Sequence, residues 1–241
     1  MDPKRVAQIS LRLSESFVKQ GMRWDDGGVV MLYNRYLRKQ ERKGPAWIVN
    51  IYLTDIETKP KDSIKVGQRF VDCYWPFNRD VFDSTPSKYD RKYMVLNTIQ
   101  GALLALAEQE QWNATAFIKS YQACIEAGLV LEGMYREYPI ASPNRQYYFA
   151  LYYRVDFGSY EVYEVLYNKH KQEIGRRLCY RATVAIFVVK WGKWSADSMS
   201  FSYRFNGPKQ IFTAHIEDML AQRPRSLISF VGNTIRASAN K

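Results

Sequence analysis

The chain has 241 residues and a formal net charge of +11, from 35 lysines and arginines against 24 aspartates and glutamates. Its 46% hydrophobic and 24% charged residues are typical of globular proteins, which excludes disorder over most of the chain. The longest apolar stretch, Val184 to Val189, is far shorter than the roughly 20 residues of a membrane span. Because the N-terminus also lacks an apolar signal core, we expect a cytosolic protein.

The first half of the chain predicts an initial helix, then strands. Residues 3–20 are expected to be helical, because apolar residues recur there every three to four positions. The run Asp25-Asp26-Gly27-Gly28 predicts a tight turn, since glycine accepts positive φ and aspartate binds its own backbone. Strands are predicted over 29–36, 46–54 and 68–75, and a long loop over 75–89.

Two helices divide this region from a second group of strands. Their apolar stripes predict helices over 90–109 and 113–127, the second capped by Asn113 and ended by Gly128. Tyrosine and β-branched residues then predict strands over 129–138, 146–156, 160–168, 184–191 and 199–205. A turn at 191–194 and a final helix over 208–222 complete the predicted elements.

This order of elements predicts an α+β fold of largely antiparallel sheets, with N-terminal, central and C-terminal helices packed on them. No Gly/Ser-rich or Pro-rich linker interrupts the chain, so we expect one domain over 1–241. A two-lobed organisation, 1–128 and 129–241, stays open as an alternative.

Residues that would support catalysis or metal binding are sparse. The cysteines, Cys73, Cys124 and Cys179, are too widely spaced for a disulfide framework or a zinc site and are expected to be buried, reduced thiols. His170 lies in a polar turn, and His215 with Glu217 and Asp218 is a weak metal signal.

The motifs of common enzyme classes are also missing. The chain has no phosphate-binding glycine loop and no Gly-x-Ser-x-Gly elbow. Glu161 and Glu164 are three apart on a predicted strand and so face opposite ways. We therefore expect no cofactor and favour a non-enzymatic protein, with an enzyme of dispersed site residues as an alternative.

Basic residues concentrate in three segments, 35–43, 169–181 and 223–241. Such clusters, interleaved with tyrosines, favour an acidic partner, either an acidic protein surface or a nucleic acid bound through its phosphates. The predicted helix over 113–127 offers few basic or amide side chains, which argues against a DNA-reading helix.

Tyrosines occupy both faces of the strands over 146–156 and 160–168. One face must fill the core, and the other would expose tyrosine beside arginine, a pairing that is enriched in protein interfaces. The sequence predicts a binding surface made of Tyr148, Tyr152, Arg154, Tyr163, Tyr167, Arg176 and Arg177. The hypothesis is a protein that binds an acidic protein surface, for example an immunity or inhibitor protein that masks a toxin or an enzyme. The alternative is a non-specific nucleic-acid-binding protein.

Overall fold

A computed structural model describes residues 5–19, 25–40, 46–54, 64–67, 69–182, 189–205, 211–221, 228–231 and 234–237. Its helices and mostly antiparallel sheets confirm the predicted α+β class. The chain divides into two compact units, Met1–Leu131 and Glu132–Lys241. The single-domain organisation and its two-lobed alternative stay predictions. Among the helices of the described segments, none is long and apolar enough to span a membrane.

The first unit is a four-stranded sheet with helices. Its elements are β1 (Arg5–Leu13), α1 (Glu15–Lys19), α2 (Val29–Gln40), β2 (Ala46–Thr54), β3 (Ile64–Val66), β4 (Phe70–Pro76), α3 (Arg79–Ser84), α4 (Lys88–Gln109) and α5 (Thr115–Glu126). The strand order is β1-β2-β4-β3, with β1 and β4 parallel to β2 and β3 antiparallel to β4. The predicted strands at β2 and β4 and the helices at α4 and α5 are confirmed, whereas α3 lies in the predicted loop.

The helix prediction over 3–20 is wrong for residues 5–13, which form strand β1 beside β2. Residues 15–19 of the predicted range are helical, as α1. A register shift between Val6 and Gln8 places Val6 and Ile9 on the same buried side. A bulged strand therefore shows the three-residue spacing that predicted a helix. On its outer edge the Asn34 side chain accepts a bond from Ile9 N–H at 2.7 Å and donates one to Ile9 O at 2.8 Å. Asn34 thus satisfies the backbone N–H and C=O of Ile9, which an edge strand would otherwise leave without a partner.

The strand prediction for 29–36 is also wrong, because this segment belongs to helix α2. Gly27 and Gly28 have φ of 60° and 83°, and their N–H groups donate to the carboxylates of Asp25 and Asp26. This turn leads directly into helix α2, in which Leu32 N–H donates a hydrogen bond to Gly28 O at 3.0 Å. The β-branched residues that predicted a strand are the buried face of the helix.

Asp26→Asn is expected to stabilise the protein at neutral pH by about 2–3 kcal/mol. Burial raises the pKa of Asp26 to about 6 in the folded protein, above its ordinary value of 3.8. The folded state therefore holds a proton that the unfolded chain releases, and the stability contributed by Asp26 falls as the pH rises from about 4 to about 6. Asparagine keeps the oxygen that accepts from Gly28 N–H without carrying a charge.

Urea unfolding at several pH values measures this effect. The advantage of the variant should grow between pH ~4 and ~6 and be constant above. Equal free energies of unfolding at pH ~7 would contradict the buried carboxylate.

Helix α4 packs on one face of the first sheet. A Cβ at Gly101 would lie 2.8 Å from the Trp75 ring, so only glycine allows this approach. Tyr33 of α2 donates to Phe117 O of α5 at 2.9 Å. The helices and the sheet bury a shared core that includes Val49, Ile51, Leu53, Val71, Cys73, Val95, Ile99 and Leu103. This side of the sheet is called the inner face.

The second unit contains two sheets. Its elements are β5 (Leu131–Met134), β6 (Ile140–Ala141), β7 (Tyr147–Asp156), β8 (Ser159–Asn168), β9 (Glu173–Ala182), β10 (Val189–Trp194), β11 (Ser200–Phe205), β12 (Phe212–His215), α6 (Ile216–Leu220), β13 (Ile228–Val231) and β14 (Thr234–Ala237). One sheet has the order β14-β13-β9-β8-β7-β5, with β6 also on β7, and the other has the order β10-β11-β12.

The predicted strands at β7, β8 and β11 are confirmed, but the elements around β11 differ from expectation. Residues 191–194 belong to β10 and not to a turn, while residues 184–188 of the strand predicted over 184–191 lie outside the described residues. Of the predicted final helix, residues 211–221 are described; within them Phe212–His215 is a strand and Ile216–Leu220 is helical. Phe212, Ala214 and Ile216 alternate into the core, a strand pattern that the helical spacing concealed.

The two sheets of this unit share an aromatic core. The Phe149 ring on β7 stacks on Phe201 of β11 with centroids 4.3 Å apart, and Trp194 meets both rings edge-on. Trp194 Nε1 donates to Ile140 O at 2.9 Å. The aromatic core covers one face of the strands β7, β8 and β9. Their opposite face is the second surface of the sheet.

Candidate protein-binding face

The register of β7 and β8 brings the predicted tyrosines together. Tyr148 lies opposite Tyr167, Tyr152 opposite Tyr163, and Arg154 opposite Glu161. Paired residues of antiparallel strands share a face, so the four tyrosines and Arg154 lie on one side of the sheet. We call this side the tyrosine face. Its members are Tyr148, Tyr152, Arg154, Glu161, Tyr163, Tyr167, Glu173, Arg176 and Arg181.

Strand β9 contributes through two irregularities in its pairing with β8. Register shifts occur between Val162 and Tyr163 and between Leu166 and Tyr167. Arg176 lies opposite Val165, between the two shifts. Arg181 lies opposite Glu161, on the other side of the shift at Val162, so both arginines join the tyrosine face. These shifts could not be read from the alternation of residue types.

Arg177 is the one predicted site residue that lies apart. It pairs with Glu164, and its Nε binds Glu164 Oε2 on the core side of the sheet. The Arg177 side chain is 9% exposed and the Glu164 side chain 0%. Tyr203 donates a further hydrogen bond to Glu164 Oε1 at 2.7 Å. Six of the seven predicted residues therefore share a face, and Arg177 belongs to a buried ion pair.

Arg176 organises the centre of the tyrosine face. Its guanidinium carbon lies 4.6 Å from the centroid of the Tyr152 ring and 5.7 Å from that of Tyr163. Its Nε and Nη2 each donate to a carboxylate oxygen of Glu173 at 2.8 Å. This bond lowers the pKa of Glu173 and raises that of Arg176. A cation that lies within reach of both rings attracts them and restrains the tyrosines before any partner arrives.

A second ion pair forms one edge of the tyrosine face. Arg181 donates to Glu161 Oε1 from Nη2 at 2.7 Å and from Nε at 3.0 Å, and Tyr163 donates to Oε2 at 2.6 Å. Burial alone raises the pKa of Glu161, but the bonds from Tyr163 and Arg181 outweigh it, and the net pKa is lowered. Arg154, across from Glu161, is exposed and makes no hydrogen bond or ion pair with the described residues. Arg154 is thus an uncompensated cation.

The hydroxyls of Tyr152 and Tyr163 are neutral donors at physiological pH. Burial, together with hydrogen bonds to Glu132 and Glu161 respectively, raises the pKa of Tyr152 and of Tyr163 to about 12. Each ring is therefore anchored at its hydroxyl. Tyr148, Tyr152, Tyr163 and Tyr167 are all half-buried, so part of each ring still faces solvent.

Further basic residues stand at one end of this face. Arg145 precedes β7, and Lys169 and Lys171 follow β8, where Tyr147 pairs with Asn168. All three cations are exposed. We call them the basic rim. The rim and Arg154 stand at opposite ends of the strands, with the tyrosines between them.

The other predicted basic segments are only partly described. Arg38 and Lys39 are exposed on the last turn of α2, while 41–43, 223–227, 232–233 and 238–241 lie outside the described residues. His170 lies in the turn between β8 and β9, and His215 is exposed where β12 meets α6. Within the described ranges, no group of three or more histidine, cysteine or acidic residues is placed to hold a metal ion.

Sequence reasoning missed the buried pair of Glu164 and Arg177. The predicted alternation placed Glu164 and Glu161 on opposite faces of the same strand. Since one face must fill the core, this pattern is a usable signal for a buried carboxylate. Comparisons with family models, curated proteins and solved structures found no match, so the function of this chain has to be argued from its own residues.

Proposed function

We propose that this chain is a non-enzymatic, cytosolic binding protein whose tyrosine face contacts an acidic surface of a partner protein. The observation that carries the proposal is the register that aligns two pairs of half-buried tyrosines around Arg176 on one face. Tyrosine buries a large area at small entropic cost and keeps a polar tip, which is why it is enriched in interfaces.

Preorganisation supports the same proposal. When a partner binds mobile side chains, their ordering costs about 0.5–1.5 kcal/mol of binding free energy for each side chain that is immobilised. Tyr152 and Tyr163 are already held by Arg176 and by carboxylates. Little of this cost remains when the face is covered.

The distribution of charge supports an acidic partner. Arg176 and Arg181 are compensated by Glu173 and Glu161, so their charges attract a partner only weakly. Attraction comes instead from Arg154 and the three cations of the basic rim, at the two ends of the tyrosines, and these outnumber the carboxylate of Glu132 that is bonded to Tyr152. Such exposed cations mainly raise the association rate and select against basic partners. An immunity or inhibitor protein that masks a toxin or an enzyme is the kind of protein we propose.

Affinity capture from the native cell, followed by calorimetry with the purified partner, tests this function. We expect an acidic protein bound by the full chain, and Tyr152→Ala with Tyr163→Ala should weaken its binding at least about 30-fold, the loss typical of interface hot spots. Arg154→Glu tests the charge without removing any internal hydrogen bond. It should lower the association rate about tenfold or more, an effect that salt diminishes.

Tyr138→Ala is the matched control, because Tyr138 is 71% exposed and lies outside the tyrosine face. This variant should bind as the unmodified chain does. Capture that survives both tyrosine substitutions and Arg154→Glu would overturn the proposal, as would a partner that carries a basic surface.

A further inference from the structure

The first unit presents a second aromatic surface, on the side of its sheet opposite to the inner face. Register pairs Ile48 with Phe70, Asn50 with Asp72 and Tyr52 with Tyr74 on the neighbouring strands β2 and β4. Arg12 of β1 lies beside Tyr52, and Lys65 of β3 lies opposite Asp72. We call this surface the outer face. Its members are Arg12, Ile48, Asn50, Tyr52, Lys65, Phe70, Asp72 and Tyr74.

A row of cations and rings crosses the outer face. The rings of Tyr52 and Tyr74 are stacked, with centroids 4.9 Å apart and planes inclined by 17°. The guanidinium carbon of Arg12 lies 6.0 Å from the Tyr52 centroid, and Lys65 Nζ lies 5.6 Å from the Tyr74 centroid. The two stacked rings lie on β2 and β4, and a cation stands at each end of the stack, Arg12 on β1 and Lys65 on β3.

Apolar side chains extend this row along the strands. Ile48 is 43% exposed and Phe70 is 48% exposed, and they are register partners on the same face. The Phe70 ring lies against Gly67, where a Cβ would come within 2.9 Å of the ring. The glycine lets the ring rest on the backbone and leaves about half of the residue open to a planar ligand.

The polar groups of the outer face suit the edge of a base. Asn50 is 8% exposed and donates from Nδ2 to Asp72 Oδ1 at 2.7 Å, while its own Oδ1 has no hydrogen-bond partner in the described part of the chain. Asp72, which accepts this bond, is half-buried on the same face, so its carboxylate is the polar group that a ligand can reach. Amide and carboxylate oxygens accept from the exocyclic amino groups of bases.

We propose that the outer face binds single-stranded nucleic acid. Sheets that bind single strands combine aromatic rings, on which bases stack, with cations that follow the phosphates. Here the rings are Tyr52, Tyr74 and Phe70, and the cations are Arg12 and Lys65, with the exposed Arg69 beside Phe70. Asp72 is the one carboxylate of the set, and the Asn50 amide and Lys65 stand next to it. The balance of charge on the outer face is therefore positive and complementary to phosphate.

Fluorescence anisotropy with the full chain tests this site. The probes are labelled oligodeoxycytidine and oligocytidine of about a dozen nucleotides, whose bases carry an exocyclic amino group, compared with a duplex of the same length at low salt. We expect single strands to bind more tightly than the duplex. Phe70→Ala should weaken single-strand binding about 5- to 150-fold, the range for one lost stacking ring. Lys65→Gln should reduce the slope of log K against log salt by about 0.7.

Both variants change exposed side chains, so the fold should survive, and thermal unfolding checks this directly. Lys119→Gln on the exposed surface of α5 is the matched control for charge, and Tyr138→Ala is the control for an exposed ring. Neither control should change the affinity for single strands or the salt slope.

Three outcomes would overturn the proposal. They are no binding of any probe at low salt, equal binding by Phe70→Ala and the unmodified chain, and a partner protein whose binding is lost in Phe70→Ala while no oligonucleotide binds. The last outcome would make the outer face a protein contact. This site is independent of the tyrosine face, so either proposal can fail while the other stands.

Discussion

Glu164→Ala is expected to destabilise the second unit by about 3–5 kcal/mol, the loss typical of a broken buried ion pair. The Glu164 side chain is 0% exposed and binds Arg177, itself nearly buried, and Tyr203. Removing the carboxylate leaves a cation inside the core without its counter-charge and a tyrosine hydroxyl without its acceptor. Desolvation that was offset by pairing then acts against the folded state. Urea unfolding, followed by fluorescence, measures the change.

Removing both charges is the informative control. Glu164→Leu combined with Arg177→Met replaces the pair by apolar side chains of similar length, and such exchanges are often neutral or stabilising. The double variant should therefore recover most of the stability lost by Glu164→Ala. A loss below about 1 kcal/mol for Glu164→Ala would mean that water reaches the pair.

Phe201→Ala is expected to cost about 3–5 kcal/mol, because it leaves a cavity among aromatic rings. Phe201 is fully buried, stacks on Phe149 and meets Trp194 with centroids 5.5 Å apart. These contacts join β11 to the sheet that carries the tyrosine face. Thermal and urea unfolding measure the loss.

Gly192→Ala supplies a coupled test of the same packing. A Cβ at Gly192 would lie 2.5 Å from Cζ of Phe201, so the methyl group forces the ring to move and should cost about 1–3 kcal/mol. In the Phe201→Ala background the methyl group enters the vacated space, and Gly192→Ala should be neutral or stabilising. The coupling free energy of this double-mutant cycle should therefore reach about 1–3 kcal/mol. Strictly additive effects would contradict the close approach.

The bounds of β2 follow directly from the sequence, because a β-branched, apolar run between Pro45 and Asp55 suits a strand in any context. Helix α4 was equally predictable, since its apolar residues recur over six turns and tertiary contacts cannot easily override so long a pattern. For the segment of strand β1 the prediction was a helix, and for the start of helix α2 it was a strand. Their patterns are short, and a bulge in β1 and a glycine turn before α2 decided them.

The candidate site likewise has a part that local sequence patterns predict and a part that they do not. The alternation of tyrosines along β7 and β8 predicts which residues of each strand share a side, because successive side chains of a strand point to opposite faces. Which side of β8 joins which side of β7 depends on the register, and the hairpin at Gly158 sets it. The positions of Arg176 and Arg177 depend on two irregularities in β9 that leave no mark in residue types.

The sequence by itself therefore determined the α+β class, the tyrosine-rich strands and the excess of positive charge, because composition and local periodicity are properties of neighbouring residues. Only the tertiary structure decided that Arg176 joins the tyrosines while Arg177 enters the core, and that Tyr52 stacks on Tyr74. These outcomes depend on strand pairing between residues far apart along the chain. Long-range pairing is selected by the free energy of the whole packed unit, which no short stretch of sequence contains.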